Sequence, residues 1–272
     1  MKDEGGQVGI IGALLLIGVA LIVVSWFLTY QLPEMTRNEE ISHLTEVFKA
    51  FADMQQGLAS YIESGRTGVI YPVSFPIGRP SAFFGIGGIT GSLAMSDENF
   101  YVNSTSSLSM NSSLLYEPSI TQTVPQTYSY EMGAVVLRQG DRALMKIDPP
   151  ITIDRDLSTI TLNMTMISLT TMDITSRVGT GYVTINFFVD YTMPVSFYGP
   201  GNRVGDLVFD FHTPNAGAWR KYFEELMEPV GAEFYNFDRE LNSPDRFYMT
   251  LKNVDLVNSN IRYAIVRVSI GG

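Results

Sequence analysis

The sequence predicts an α+β protein in which a long N-terminal hydrophobic and amphipathic helix precedes a β-rich, sandwich-like domain with one short helix. No residue from Gly5 to Leu32 is charged, and between Pro33 and Gly65 apolar residues recur three and four apart. Beyond Arg66 the period changes to that of short strands. These patterns place a short N-terminal segment at residues 1–7, a transmembrane helix at 8–30, a helical extension at 33–64 and the β-rich domain at 66–272.

Composition limits the function classes. A chain of 272 residues with 45% hydrophobic content can bury a substantial core. Its 18 Lys and Arg face 28 Asp and Glu, and a net charge of -10 argues against nucleic acid as a partner, because phosphate binding needs a basic face. The chain has no cysteine, which excludes disulfides, thiolate metal sites and cysteine nucleophiles. The β domain must therefore be stabilised by packing alone.

The apolar run predicts a single membrane-spanning helix in contact with lipid. Val8 to Tyr30 would form a helix roughly 35 Å long, slightly more than the thickness of the hydrocarbon core. A cleaved secretory signal has a shorter apolar region, and a buried helix of this length usually keeps a polar face. Trp26 and Tyr30 lie near the distal end, where aromatic rings favour the headgroup layer.

The topology follows from length, because the charges flanking the span are nearly balanced. The few residues before the span cannot form a domain, so the large C-terminal part is predicted to be extracellular and the protein single-pass. Asn103, Asn111 and Asn163 begin sequons, which are candidate N-glycosylation sites only outside the cytoplasm. The first two belong to a polar, Ser-rich stretch, 96–115, that is expected to be an exposed excursion, whereas Asn163 lies in an alternating strand.

The segment after the span has the pattern of an amphipathic helix. Its apolar stripe is Ile41, Leu44, Phe48, Phe51, Leu58 and Ile62, widened by Val47, Met54 and Tyr61; the other surface carries Glu34, Arg37, Glu39, Glu40, Glu46, Lys49 and Asp53. Pro33 should kink the helix without breaking it. Two interpretations of the stripe remain open: it packs on the chain's own β domain, or part of it faces other subunits.

The remaining elements are short. The predicted strands are TGVIYPVSF, GAVVLRQ, ALMKI, STITLNMTMISL, GYVTINFFVDYTM, LVFDF, FYMTLKNV and RYAIVRVSI. RQGDR predicts a hairpin turn, and FYGPGNRVGD predicts a longer loop. A helix is predicted where Trp219, Tyr222, Phe223 and Leu226 share a face.

The sequence predicts no catalytic, cofactor or metal site, and thus no enzyme. Its two histidines are His43 and His212, for which structural roles are preferred, with Asp210 and His212 forming a solvated pair at a strand edge. The carboxylates of Asp154 and Asp156 lack the spacing of a calcium loop. The glycines from Gly85 to Gly91 lack the spacing and the following Lys of a phosphate-binding loop.

The order of these features resembles a known group. A short polar N-terminus with Gly5, Gly6 and Gln7, an apolar helix, an amphipathic extension and a β-rich remainder resemble an archaeal type IV pilin-like protein with a class III signal peptide. The segments YQLPEMTRNEEISHL, LYEP (115–118) and YEMG (130–133), with the Trp219 helix, are similar to those of membrane-anchored archaeal proteins. The resemblance implies leader processing between Gly6 and Gln7. Pilins usually carry a Glu five residues into the mature chain, where this sequence has Ile11.

Two functional hypotheses follow. In the first, implied by the resemblance, the protein is a structural cell-surface component whose N-terminal helices pack together, with copies of itself or with related pilin-like subunits, in a filament. Gly9, Gly12 and Ala13 are the candidate helix-packing residues, because small side chains admit close helix contact. In the second, the chain is a single-pass anchor that presents its β domain as an envelope or ligand-binding module without polymerising. The sequence does not identify the ligand.

Overall fold

A computed structural model describes residues 4–80, 88–96, 100–104, 109–110, 112–195, 204–238 and 243–271. It has the predicted α+β architecture, a long N-terminal helix followed by a β-rich domain with a short helix. Side chains of the first turns of the long helix lie outside the description, as do the loop expected around residues 196–203, Asn111, and Gly85 and Gly87 of the glycine-rich turn.

The N-terminal helix is continuous. Helix α1 (Glu4–Trp26) passes through a π-helical turn (Phe27–Gln31) into helix α2 (Leu32–Glu63). The N–H of Leu32 donates to the carbonyl of Phe27, five residues back, just before Pro33 removes a backbone donor. The wider turn accommodates the proline, so the helix continues past it.

The β domain contains two sheets. Within the described residues, a ten-stranded sheet has the order β1-β12-β16-β10-β15-β13-β3-β4, with β9 beside β10 and β14 beside β15, and a six-stranded sheet has the order β11-β2-β5-β6-β7-β8. Strand β10 runs parallel to β16 and β15, and the other pairs are antiparallel. The strands are β1 (Ile70–Gly78), β2 (Thr90–Ser96), β3 (Tyr101–Ser104), β4 (Ser109–Met110), β5 (Ser113–Ser119), β6 (Thr127–Glu131), β7 (Ala134–Gln139), β8 (Arg142–Ile147), β9 (Ile151–Arg155), β10 (Ile160–Thr171), β11 (Ser176–Gly179), β12 (Gly181–Pro194), β13 (Val204–His212), β14 (Tyr235–Phe237), β15 (Arg246–Asp255) and β16 (Asn260–Gly271).

Two hydrophobic clusters form the core. One lies where α2 meets both sheets, and Phe51 is at its centre, edge-on to Phe75 and stacked on Tyr128. The other lies between the ten-stranded sheet and helix α3 (Ala216–Met227), where Trp219 and Phe223 stack on one another beside Phe211. Most of the apolar stripe of α2 thus packs on the chain's own β domain, although 47% of Ile41 remains exposed.

Several local predictions are confirmed. The turn at Gly140 joins β7 to β8, and α3 buries Trp219, Tyr222 and Phe223 while Leu226 is partly buried. The amphipathic pattern of 33–64 corresponds to α2.

The expectation of an exposed Ser-rich excursion is wrong for the described part of 96–115. Phe100, Val102, Met110 and Leu114 are buried, and β3 pairs with β13. Apolar residues lie between the serines of this stretch, and they are spaced closely enough to form strands that enter the core. Asn103 lies in β3, with its backbone in the ladder beside Asp210.

Candidate functional site

The apolar half of the long helix is uncovered. Leu14, Leu16 and Ile22 are each exposed over 63% or more of their surface, and no part of the most hydrophobic 18-residue window is buried. By length and composition this helix can cross a membrane. Exposure of so much apolar surface to water is unfavourable. Lipid or other helices are the surroundings that would bury it.

The candidate helix-packing positions Gly9, Gly12 and Ala13 lie in α1. Gly6, Gln7 and Gly9 are within α1, and Gly12 and Ala13 are exposed. A Cβ placed on Gly12, or on Gly18 further along, would meet no atom within 4 Å. The chain's own fold therefore does not require glycine at either position.

Glu40 binds a loop of the β domain, contrary to the expectation that it faces solvent. It is 1% exposed, and its carboxylate accepts hydrogen bonds from the backbone N–H groups of Thr121, Gln122 and Thr123, at 2.7 to 3.1 Å, and from both threonine hydroxyls. Burial raises the pKa of this carboxyl, but these hydrogen bonds outweigh burial and leave the pKa below its usual value. The contact holds the β5–β6 loop against α2.

His43, three residues further along α2, is fully buried. Its Nε2 atom lies 2.6 Å from the Tyr116 hydroxyl, which in turn donates to the carbonyl of Ile77 at 3.0 Å. Burial lowers the pKa of the His43 imidazole, and the nearby Arg79 lowers it further, while Glu46 opposes both. His43 thus has the structural role expected, in contact with strand β5.

An open cleft lies beside this part of α2. It has a volume of about 940 Å³ and is lined by Tyr30 and Arg37 of the helix and by Val124 of the β5–β6 loop, with Phe48 and Lys146 at its far end. The Lys146 ammonium lies 6.0 Å from the centre of the Phe48 ring. The cleft begins at Tyr30, the last residue of the predicted span, so its mouth adjoins the predicted membrane surface.

A second buried glutamate joins strand β6 to helix α3 and the segment before it. Glu131 ends strand β6, and the turn that follows uses positive φ at Met132 (50°) and Gly133 (89°). Its carboxylate accepts hydrogen bonds from the Trp219 indole at 2.7 Å and the Asn215 amide at 2.6 Å, and from Ser129 and Thr213. Burial raises the pKa of Glu131, and the hydrogen bonds offset only part of that effect.

The segments that carry the sequence resemblance meet in two pairs. His43 of YQLPEMTRNEEISHL contacts Tyr116 of LYEP, and Glu131 of YEMG contacts Trp219 of α3. Sequence reasoning singled out these segments without predicting either contact. The partners are 73 and 88 residues apart, so no local pattern could predict that they meet. The sequence signal for these contacts was a charged or aromatic residue in each segment.

The other candidate residues lie in different surroundings. Asn163 is half-buried in β10, between β9 and β16. Asp210 is not at a sheet edge, since β13 lies between β15 and β3; its carboxylate accepts two hydrogen bonds from Arg246 at 2.8 Å and lies 3.2 Å from His212. Burial raises the pKa of Asp210, but Arg246 and His212 bring it below its usual value.

Asp154 and Asp156, which lack the spacing of a calcium loop, flank Arg155 in the sequence. Arg155, between them, donates to the carbonyl of Val230 at 2.7 Å and forms a salt bridge with Glu233. Within the described part of the chain, no group of three His, Cys, Asp or Glu residues has the geometry to hold a metal ion.

Fold and site together define a class: β-rich proteins carried on one long N-terminal helix whose first half is apolar and uncovered. The chain belongs to the family of unknown function DUF7289, whose model matches residues 6–240. That match extends from the start of the uncovered helix past both buried glutamates and α3. A search of curated proteins and a search of solved structures found no match.

Proposed function

We propose that the protein is a structural subunit of the cell surface, pilin-like in design, that assembles through its apolar N-terminal helix and presents the β domain outside the membrane. The observation that carries this proposal is the division of one continuous helix into two halves. The second half is part of the domain core, whereas the first has no partner within the described chain.

The length of the helix supports assembly. From Val8 to Glu63 the helix is about 84 Å long, and only about 35 Å of this is needed to cross a bilayer. Since α2 is rigidly packed on both sheets, it would transmit the position of α1 to the whole β domain. Copies that pack through α1 would consequently arrange their β domains in a regular array.

The alternative function, a single-pass anchored module that does not polymerise, is favoured by a different observation. The cleft beside α2 is large enough for a ligand, and Arg37 and Lys146 in its wall form no salt bridge within the described residues. In this alternative, α1 contacts only lipid, and the cleft is the ligand-binding site.

Crosslinking in native membranes distinguishes the two functions. Gly9→Leu adds a bulky side chain to the candidate packing face, and Gly18→Leu is a matched control, because nine residues along a helix place it on the opposite face. We expect wild type and Gly18→Leu to give a ladder of crosslinked species and Gly9→Leu to lose it, with all three proteins equally membrane-bound. A strictly monomeric wild type, or a ladder unchanged by Gly9→Leu, would contradict assembly through this face.

A further inference from the structure

The interface between α2 and the β domain has a polar end and an apolar end. Glu40, His43 and Glu46 are three residues apart on the side of α2 nearer the span, and each contacts a different part of the domain. Glu40 binds the β5–β6 loop, His43 binds Tyr116, and Glu46 forms a salt bridge with Arg79. We call these three side chains and their partners the polar latch; from Val47 onward the buried residues of α2 are apolar.

In the polar latch, protonation of His43 would leave a buried donor without an acceptor. If Tyr116 donates to Ile77, the close contact with Tyr116 makes Nε2 the protonated ring nitrogen and leaves Nδ1 bare. Nδ1 is buried and has no hydrogen-bond partner in the described part of the chain. Protonation would place a charged N–H donor there with no acceptor, which is costly in a buried site.

The charges around His43 act in the same direction. Arg79 follows strand β1 and repels an imidazolium, whereas Glu46 attracts it but is already paired with Arg79. Tyr116 from β5 supplies no negative charge, because burial raises the pKa of its phenol. Glu40, one turn earlier, is fully engaged with the loop.

We propose that the polar latch is a pH-sensitive release, in which protonation of His43 in mildly acidic solution lowers the free energy needed to free the span-proximal turns of α2 from the β domain, although Glu40 still holds the β5–β6 loop. The apolar end, from Val47 to Ile62, stays packed and acts as the pivot. Release widens the cleft beside α2 and loosens the angle between α1 and the domain. This behaviour does not depend on whether the chain polymerises.

The pH window follows from linkage. The pKa of His43 is lower in the fold than its usual 6.5, so the stability it contributes is complete above that value and is lost as the pH falls below it. The pKa of Glu40 is below its usual 4.5, so its contribution persists until more acidic conditions. As the pH falls below about 6.5, acid therefore acts on the latch through His43 before it acts through Glu40.

Hydrogen exchange of the full chain in detergent micelles tests the release. After correction for intrinsic exchange, the amides of Thr121, Gln122 and Thr123, which donate to Glu40 across the latch, should exchange about tenfold faster at pH 5 than at pH 7.5, while amides of residues 50–62 keep their protection. His43→Gln should abolish this response because glutamine does not titrate. His212→Gln, at the chain's other histidine, should leave the response intact.

Two results would overturn the proposal: equal corrected exchange at both pH values in wild type, or the same acceleration in His43→Gln. If His43→Gln fails to fold, the imidazole resonance of His43 in the His212→Gln protein decides instead. A titration below pH 6.5 that coincides with lost protection supports the release. A titration with no change in protection refutes it.

Discussion

At the residue scale, Glu40 and Glu131 show how burial and hydrogen bonds together set the state of a buried acid. Neither carboxylate forms a salt bridge in the described structure. Glu40 receives three backbone N–H groups from one loop, and its pKa falls. Glu131 is enclosed completely and receives only side-chain donors, and its pKa rises. Glu40 therefore favours its charged form, while Glu131 is the more readily protonated of the two.

Glu131 should make stability depend on pH. Because its pKa is raised in the fold, the folded state binds the proton more tightly, and the free energy of unfolding should decrease as the pH rises from about 4.5 through the folded pKa. Glu131→Gln should remove this decrease. The measurement is chemical denaturation of the full chain in detergent across pH 4 to 8.

Glu117→Gln is the matched control, since Glu117 is exposed and the substitution is the same. Its profile should follow that of wild type. Identical pH slopes in wild type and Glu131→Gln would show that Glu131 does not titrate in this range.

Sequence periodicity could not predict these residue contacts. The helical pattern predicts that Glu40 faces solvent, because charged residues usually lie on the exposed face of a helix. In the structure, three successive backbone N–H groups of residues 121–123 compensate the burial of its carboxylate. Trp219 was correctly placed on the buried face of a helix. Its indole N–H needed an acceptor, and nothing local in the sequence identified Glu131 as that acceptor.

At the element scale, α2 belongs to the β domain although it is continuous with α1. Val47, Phe51, Met54 and Leu58 are fully buried in the cluster shared with both sheets. Removing one such large side chain typically costs about 3 to 5 kcal/mol, against a total stability of about 5 to 15 kcal/mol. We therefore expect the domain to need α2 for folding and not to need α1.

Two truncations should behave in opposite ways. Deletion of residues 1–31 retains α2 and should give a soluble domain that unfolds cooperatively. Deletion of residues 1–65 removes α2 and exposes the sheet residues that Phe51 covers, among them Phe75 and Tyr128, and should give aggregated protein. Size-exclusion chromatography and thermal denaturation of the two proteins, made with the same tag, provide the measurement. A cooperative fold without α2, or none with it, would refute this division of the helix.

Strands and helices were predicted correctly where apolar residues recur with a clear period. The prediction was wrong for the Ser-rich stretch, where it relied on composition. The long strands β10, β12, β15 and β16 follow predicted segments because alternating Val, Ile and Thr leave little ambiguity. Strands β3 and β4 lie among serines; β4 pairs with β3, and the pairing of β3 with β13 crosses about 100 residues. No local pattern specifies such a long-range pairing.

At the scale of the whole molecule, a packed half and an uncovered half share one helix. The two sheets, α2 and α3 form the packed half, with the core around Phe51 and Trp219. The uncovered half offers apolar surface and small residues. A continuous helix between these halves would let a repeating surface subunit hold its β domain in a regular array, and this continuity is the basis of the proposed function.

Immunogold electron microscopy of native cell envelopes, using antibodies against the β domain, tests the proposed assembly most directly. We predict label along filaments that project from the membrane, with regular spacing set by α1 packing. Label confined to the membrane as single particles, with no labelled filament, would contradict the structural role and leave the anchored ligand-binding module as the function.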